Sequence, residues 1–172
     1  MTVAACAPCH GAATAATQAA PTFPRLDGQH AAYLDKQLRE YKSGKRKSAI
    51  MAPIIAALKK DQISSMAKHF AGQTPARGGA PDAQLTAAGK VLYEEGNRKT
   101  GVPGCVGCHL PEGAGHERYP RLAGQSSTYI VQQLMDFKSG ARSNDRAHVM
   151  RALAGRLTDE EIKAVAEYLA GL

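Results

Sequence analysis

The stretches Cys6-Ala7-Pro8-Cys9-His10 and Cys105-Val106-Gly107-Cys108-His109 decide how this 172-residue chain folds. Each is a C-x-x-C-H motif, the attachment pattern of a c-type haem. The spacing suits that chemistry because two thiols must reach the two vinyl groups of one porphyrin, while the adjacent imidazole is brought under the iron. Two covalently bound haems c are therefore predicted. Their attachment residues would be Cys6, Cys9, Cys105 and Cys108, and their proximal iron ligands would be His10 and His109.

Other roles for a C-x-x-C pair are a disulfide, a thioredoxin-like redox pair and half of a zinc site. Zinc is the strongest of these alternatives, since the two pairs could supply all four thiolates of a tetrahedral site. A zinc site would leave the histidine after each pair unexplained. It would also join segments 99 residues apart, beyond the usual finger and ribbon spacings. The two motifs therefore favour haem.

An internal repeat accompanies the two motifs. Residues 23–29 (Phe-Pro-Arg-Leu-Asp-Gly-Gln) match residues 119–125 (Tyr-Pro-Arg-Leu-Ala-Gly-Gln), and residues 41–44 (Tyr-Lys-Ser-Gly) match residues 137–140 (Phe-Lys-Ser-Gly), both at an offset of 96. The chain is therefore expected to be a tandem duplication. Its predicted parts are a first domain over 1–73, a Gly/Pro-rich linker over 74–84 and a second domain over 85–172.

Apolar residues recur at helical spacing in five stretches, so the chain is predicted to be all-α. Glycines at 44 and 140 end two of the stretches, and Thr158 to Glu161 fits a capping box at the start of the last one. No strong strand pattern competes. The predicted helices cover 30–43, 61–71, 85–95, 127–139 and 159–170.

The composition leaves few side chains for two cores. The chain has 31 alanines but only 26 leucines, isoleucines and valines, with 3 Phe, 6 Tyr and no Trp. We therefore expect each porphyrin to fill part of a core. No apolar run approaches the roughly 20 residues of a membrane span, and the charge content is too moderate for a disordered chain. No transmembrane segment is expected.

The repeat also selects the sixth iron ligands among five methionines, at positions 1, 51, 66, 135 and 150. Most methionines fill gaps in cores. Met51 and Met150, however, correspond to each other, and each lies 41 residues after its motif histidine. Both are therefore predicted to be axial thioether ligands, which raise the reduction potential and occupy the last open position on the iron.

The remaining histidines, at 30, 69, 116 and 148, do not recur in the repeat. They are expected on the surface or beside the haem sites. Because His148 lies two residues from Met150, an exchange of Met150 for His148 at the second iron is a minor alternative.

These features together resemble the cytochrome c4 family of dihaem proteins. The resemblance rests on the two C-x-x-C-H motifs, the repeated Pro-Arg-Leu-x-Gly-Gln segment, the Lys-Ser-Gly helix end and the two matched methionines. It covers nearly the whole chain. It implies two tandem class I cytochrome c domains, each wrapped around one covalent haem c, related by a pseudo-twofold axis and facing each other across their haem propionate edges.

The resemblance also implies roles for four residues around the haems. The carbonyls of Pro24 and Pro120 would accept the Nδ1 hydrogen of the proximal histidines, which fixes each ring and makes it a better donor to iron. The side chains of Arg25 and Arg121 would neutralise haem propionates. The alternative for these arginines is a solvated surface charge.

The start of the chain departs from the family pattern. Within the second half, about 20 residues, including a predicted helix, precede Cys105, whereas in the first half five residues precede Cys6. The first domain is therefore expected to lack its N-terminal helix, and the chain is interpreted as mature or shortened, without its leader. A periplasmic location is expected because covalent haem attachment is a chemistry of exported proteins, with loose membrane association as an option.

The resemblance implies an electron carrier rather than an enzyme. Its electron donor would be a dehydrogenase or a quinol-oxidising complex. Its electron acceptor would be a terminal oxidase, which could be membrane-bound, or another periplasmic protein. One alternative is a cytochrome subunit of a dehydrogenase complex, such as a flavocytochrome c sulfide dehydrogenase. The other is a dihaem enzyme, a peroxidase or a thiosulfate dehydrogenase, which would need an open axial position on the iron.

The net charge of +7 is unevenly distributed. Residues 1–73 contain ten basic and four acidic groups, whereas residues 85–172 contain eleven and ten. A basic cluster in the first half predicts a redox partner with an acidic docking face, or contact with an anionic membrane surface. A solvated helix face is the alternative, and no motif indicates nucleic-acid binding. The cluster consists of Lys36, Arg39, Lys42, Lys45, Arg46 and Lys47.

Overall fold

Two sets of helices follow the two halves of the chain in the computed structural model, which describes residues 5–10, 23–75, 78–79 and 82–172. The helices of the first half are α1 (Ala7–His10), α2 (Ala31–Lys42), α3 (Met51–Ala56) and α4 (Lys60–Ala71). Those of the second half are α5 (Ala83–Glu95), α6 (Val106–His109), α7 (Ser127–Ser139), α8 (Val149–Ala154) and α9 (Asp159–Gly171). Four helices recur in order, since α1 to α4 correspond to α6 to α9.

Little other regular structure occurs among the described residues. A two-residue antiparallel ladder pairs β1 (Gly96–Asn97) with β2 (Val102–Pro103). Short 3₁₀ turns cover Pro111–Gly113 and Arg146–His148. No helix in the described ranges is long and apolar enough to span a membrane.

The five predicted helices are confirmed as α2, α4, α5, α7 and α9, with ends within two residues of those expected. The capping box at Thr158 is present, because its side chain accepts the amide hydrogen of Glu161 while the Glu161 side chain accepts that of Thr158. Gly140 ends α7 in the left-handed conformation, with φ of 79°. The short helices α3 and α8 and the small ladder were not expected from the sequence.

The second half is held together by a tight crossing of α5 and α9. A Cβ on Gly89 of α5 would lie 2.0 Å from the carbonyl oxygen of Ala164 in α9, so only glycine permits this approach. Tyr93 and Ile162 are fully buried in the same core. The helix predicted before Cys105 is therefore the part of the domain that covers the C-terminal helix.

The first half has two smaller apolar clusters between α2, α3 and α4. The predicted absence of a helix ahead of Cys6 concerns residues 1–4, which lie outside the described residues, as does part of the predicted linker, at 76–77 and 80–81. The buried side chains of the two clusters are Ile55, Leu58, Ile63 and Met66 in one, and Leu34, Ala67 and Phe70 in the other.

Candidate functional site: a cavity shared by the two halves

A continuous cavity of about 550 Å³ extends through both halves of the molecule. The structure brings the predicted attachment and ligand residues of each half to its wall. The four residues from the first half are Cys6, Cys9, His10 and Met51, and the four from the second half are Cys105, Cys108, His109 and Met150.

The motif histidines are oriented by the repeated Pro-Arg-Leu segments. His10 Nδ1 donates a hydrogen bond to the Pro24 carbonyl (2.9 Å), and His109 Nδ1 donates to the Pro120 carbonyl (3.0 Å). These are the hydrogen bonds that the resemblance implies. They leave Nε2 of each ring for a metal. Burial lowers the pKa of both histidines, so each imidazole is held in the neutral form that iron requires.

An aromatic side chain lies beside each motif histidine. The ring of Phe23 is 6.2 Å from that of His10, and the ring of Tyr119 is 6.0 Å from that of His109, both measured between centroids. The two aromatic residues occupy the same repeat position, immediately before the proline. The sequence repeat contains them, but their contact with the histidines was not predicted.

Each C-x-x-C-H motif forms a single helical turn, which places its cysteines and histidine at the cavity. The amide of His10 donates to the carbonyl of Cys6 (3.0 Å), and that of His109 to the carbonyl of Cys105 (2.9 Å). None of the four cysteines forms a disulfide. Burial raises the pKa of Cys6, with a smaller contribution from Cys9, and raises that of Cys105 to about 11.

These thiols do not form the zinc site considered as an alternative. Among the described residues, which include all four cysteines, no group of three or more Cys, His, Asp or Glu side chains lies close enough to hold a metal ion.

The two matched methionines occupy equivalent places on short helices. Met51 begins α3 and Met150 is the second residue of α8, and both are half-buried at the cavity wall. Met66 also lines the cavity, but it is packed in the core, and its repeat counterpart Val165 has no ligand atom. Met135 is 36% exposed and lies away from the cavity.

Comparison with known proteins agrees with a chain made of two similar domains, each with one haem-binding motif. A family model for cytochrome c matches residues 1–88 and again residues 86–172. Cytochrome c4 of Azotobacter vinelandii is 39% identical over 98% of this chain and 85% of its own length. A thiosulfate dehydrogenase electron acceptor from Stutzerimonas stutzeri strain A1501 is 41% identical over 98% of the chain and 79% of its own.

The crystal structure of reduced recombinant cytochrome c4 from Pseudomonas stutzeri superimposes with a TM-score of 0.91 and 35% identity. The match covers 99% of this chain and 94% of that one. The chain belongs to the cytochrome c4 family. As a cytochrome c4, it is a dihaem electron-transfer protein built from two tandem cytochrome c domains with two covalent haems c.

The cavity of this cytochrome c4 fits a haem in each half. Within the described ranges, the Nε atoms of Arg25 and Arg121 are buried without a hydrogen-bond partner. Both arginines line the cavity, at the same repeat position. A buried guanidinium N–H without an acceptor is costly, and an anionic propionate in the cavity would supply the missing acceptor.

Two glutamines bind the domains of the cytochrome c4 to each other. Gln29 donates to the Arg121 carbonyl (2.9 Å) and accepts from the Arg121 amide (2.8 Å). Gln125 does the same with Arg25, at 3.0 and 2.9 Å. Exchanging the two halves exchanges the two pairs of bonds, as a pseudo-twofold axis requires.

In each Pro-Arg-Leu-x-Gly-Gln segment, the glycine just before the glutamine determines the conformation of the turn. Gly28 and Gly124 have φ of 69° and 71°, a conformation that glycine adopts without strain. The turn directs the following glutamine across the interface. The repeat analysis contained Gln29 and Gln125 but assigned them no role, because spacing alone does not show which surfaces meet.

The prediction of a six-residue basic surface is wrong at Arg46, which is 8% exposed. Its guanidinium donates to Gln37, Tyr129 and Gln133, so it belongs to the domain interface. Its repeat counterpart Arg142 donates in turn to Gln133, Tyr33 and Gln37.

Three other members of the basic cluster are held by hydrogen bonds within the protein. Lys36 pairs with Glu40 (2.7 Å) and Arg39 pairs with Asp35 (2.5 Å). Lys42 donates to the carbonyl of the last residue of α3 and to a carbonyl two residues beyond it. Lys45 also pairs with Glu40 (3.4 Å), but its side chain is 62% exposed, and Lys47 is exposed as well.

The other histidines have no place among the predicted ligands. His30 donates from Nε2 to the Ala114 carbonyl (3.0 Å), which adds a bond between the domains. His69 and His148 are exposed, and His116 packs edge-on against Tyr119. His148 is not among the residues that line the cavity, so the geometry gives no support to its exchange with Met150.

Proposed function

We propose that this cytochrome c4 is a periplasmic carrier that passes single electrons through two haems, each bound by His and Met. The observation that carries the proposal is that His10 with Met51, and His109 with Met150, line one cavity at repeat-equivalent positions. When bound there, each haem supplies a reversible one-electron iron couple. With one His and one Met holding each iron, no ligand position would be left for a substrate, which favours a carrier over a peroxidase or a dehydrogenase.

Residues of the chain would set the reduction potential of each haem iron and shield the haem from water. The Pro24 and Pro120 carbonyls hold the imidazole rings, and neutral imidazole is the better ligand. The thioethers favour ferrous iron relative to two nitrogen ligands. The guanidinium groups of Arg25 and Arg121 would donate hydrogen bonds to the haem propionates and offset their negative charge. Apolar side chains around the cavity exclude water.

The axial ligands have a direct spectroscopic test. Ferric haem with a methionine ligand has a charge-transfer band in the near infrared, so the oxidised protein is expected to show that band with the intensity of two haems. A potentiometric titration should resolve two one-electron steps. Absence of the band, or binding of carbon monoxide by the native protein at neutral pH, would contradict the assignment.

We place the docking surface for a redox partner around Lys45, Lys47 and the cavity mouth of the first domain. Ile50 and Ile54 are 57% and 37% exposed beside it and also line the cavity. The repeat counterparts of the two lysines are Ala141 and Ser143, so the second domain lacks these charges. A partner with an acidic face around an apolar centre fits this surface, whether it is a quinol-oxidising complex or a terminal oxidase.

The variant K45E/K47E is expected to slow oxidation of the reduced protein by ferricyanide about tenfold at low salt, because it reverses the charge that attracts the anion. The matched control K68E/K163E makes the same net charge change at two other exposed lysines and should slow it much less. Stopped-flow rates measured over a range of ionic strength test this. If the two variants slow the reaction equally, or if the rates do not depend on ionic strength, this surface is not the docking site.

A second candidate concerns the donor. Because a thiosulfate dehydrogenase electron acceptor is 41% identical to this chain, we propose thiosulfate dehydrogenase as a candidate electron donor. A purified thiosulfate dehydrogenase with thiosulfate should then reduce both haems at a rate that rises with the dehydrogenase concentration. Reduction no faster than by thiosulfate alone would exclude this donor and leave the carrier role intact.

A further inference from the structure

The two helices that carry Met51 and Met150 are too short to be stable by themselves. Each of α3 and α8 has six residues, whereas isolated helices shorter than about 12 residues are marginal in water. Neighbouring groups must therefore hold each methionine at the cavity wall. The last four carbonyls of such a helix have no partner within it and are the natural points of attachment.

In both halves a lysine from the preceding long helix donates to a carbonyl two or three residues beyond the end of the short helix. Lys42, the last residue of α2, donates from Nζ to the Ala56 carbonyl (3.2 Å) and to the Leu58 carbonyl. Lys138 of α7 donates from Nζ to the Leu157 carbonyl (2.8 Å). Leu58 and Leu157 are repeat counterparts, and both are buried. At Ala56, the last residue of α3, the ammonium group of Lys42 also lies at the partially negative C-terminus of the helix.

The lysines belong to the repeated Lys-Ser-Gly segment, which the haem sites do not otherwise use. The opposite end of each short helix is also tied down, but by unlike groups. Ser48 Oγ accepts from the Met51 amide (3.0 Å), while Asp145 accepts from the Arg151 amide (3.1 Å). The lysine is thus the attachment that the two halves have in common.

We propose that Lys42 and Lys138 are positioning residues that keep the axial methionines on the iron by clamping the backbone just after the short helices that carry them. This inference rests on the proposed assignment of Met51 and Met150 as ligands. Neither lysine lines the cavity, so their effect passes through the backbone of the methionine segment. Without the lysine contact, a competing ligand should displace each methionine from the iron more easily, although the methionine still binds in the absence of a competitor.

Displacement by imidazole, a small competing ligand, measures this directly. In the oxidised holoprotein, K42M is expected to bind imidazole at the first haem about three- to tenfold more tightly than the unaltered protein, with loss of half the near-infrared band. K138M should do the same at the second haem. Methionine preserves the length of the side chain and removes only the ammonium group, and K42R should restore much of the resistance because arginine can still donate to the carbonyls.

Two control variants separate the clamp from simple loss of charge. K68M removes a positive charge from an exposed position on α4 and should leave imidazole binding unchanged. D159N removes the carboxylate that also pairs with Lys138 (2.8 Å) but leaves the Leu157 carbonyl contact. Asp159 is 56% exposed at its side chain, where ion pairs contribute little, so D159N should change imidazole binding less than twofold.

The outcomes distinguish this inference from the ligand assignment itself. If the unaltered protein lacks the near-infrared band, the assignment of the methionines fails before any variant is compared. If the band is present but K42M and K138M bind imidazole no more tightly than K68M, the clamp is overturned and the ligands stand. Unequal effects of K42R and K42M, with K42R close to the unaltered protein, would confirm that the carbonyl contact is what matters.

Discussion

Replacing Met51 or Met150 with alanine should remove half of the near-infrared charge-transfer band, and replacing both should remove all of it. The reduction potential of the altered haem should fall by on the order of 0.1 V, within the ~0.8 V range that axial ligands control. The physical reason is that the thioether favours ferrous iron, whereas water or a nitrogen base in its place favours ferric iron. Optical spectra and a potentiometric titration of each variant give both quantities.

Met66 provides the decisive control. It lies at the same cavity and is buried, so proximity alone would make it a rival ligand in the first domain. M66L preserves its volume and should retain the full band and both potentials, at a cost in stability below about 1.5 kcal/mol. A protein whose band survives M51A but not M66L would have the wrong methionine assigned, and the repeat would then be no guide to the ligands.

The sequence repeat predicted much of the fold and the site because the two halves constrain each other. Met51 was separable from Met66 only because Met150 stands at the equivalent position while Val165 stands at the other. The prolines whose carbonyls hold the histidines were identified through the resemblance to the cytochrome c4 family, not through the repeat alone. Helices of 11 or more residues show their apolar period clearly, which is why α2, α4, α5, α7 and α9 were predicted.

Features that depend on two surfaces meeting could not be predicted in this way. Arg46 looked like a surface charge because it lies in the run Lys45-Arg46-Lys47, and only packing of the second domain buries it. The helices α3 and α8 are shorter than two turns, so no period was visible. Their stability comes from groups distant in sequence, Lys42 and Lys138 among them.

The deficit of core side chains also has a structural explanation. The buried apolar residues of the first half form two small clusters, and both include residues at the wall of the shared cavity. A porphyrin in that cavity completes these clusters. The domain interface, by contrast, is polar, with Gln37 and Asn144 buried and hydrogen-bonded to groups of the other half. Haem holds each domain together, while hydrogen bonds hold the domains to each other.

The largest effect on that interface is expected from Gln29 and Gln125. Q29A removes two bonds to Arg121 and leaves the amide and carbonyl of that residue without their partner from Gln29. Leaving buried polar groups unpaired costs about 1–3 kcal/mol each, so the two unpaired groups should cost each single variant about 2–6 kcal/mol of free energy of unfolding. Denaturant titrations followed by circular dichroism and haem absorbance measure the loss.

The double variant Q29A/Q125A tests whether these bonds hold the domains together. Because both glutamines act on one interface, the two losses should not add, and the variant is expected to unfold in two separate transitions where the unaltered protein shows one. Its radius of gyration in X-ray scattering should rise as the domains separate. Q132A, at an exposed glutamine that bonds only within its own helix, should change the free energy of unfolding by less than about 0.5 kcal/mol. A double variant that still unfolds in one step at unchanged radius would show that the Arg46 and Arg142 network suffices to dock the domains, and that the glutamines are dispensable.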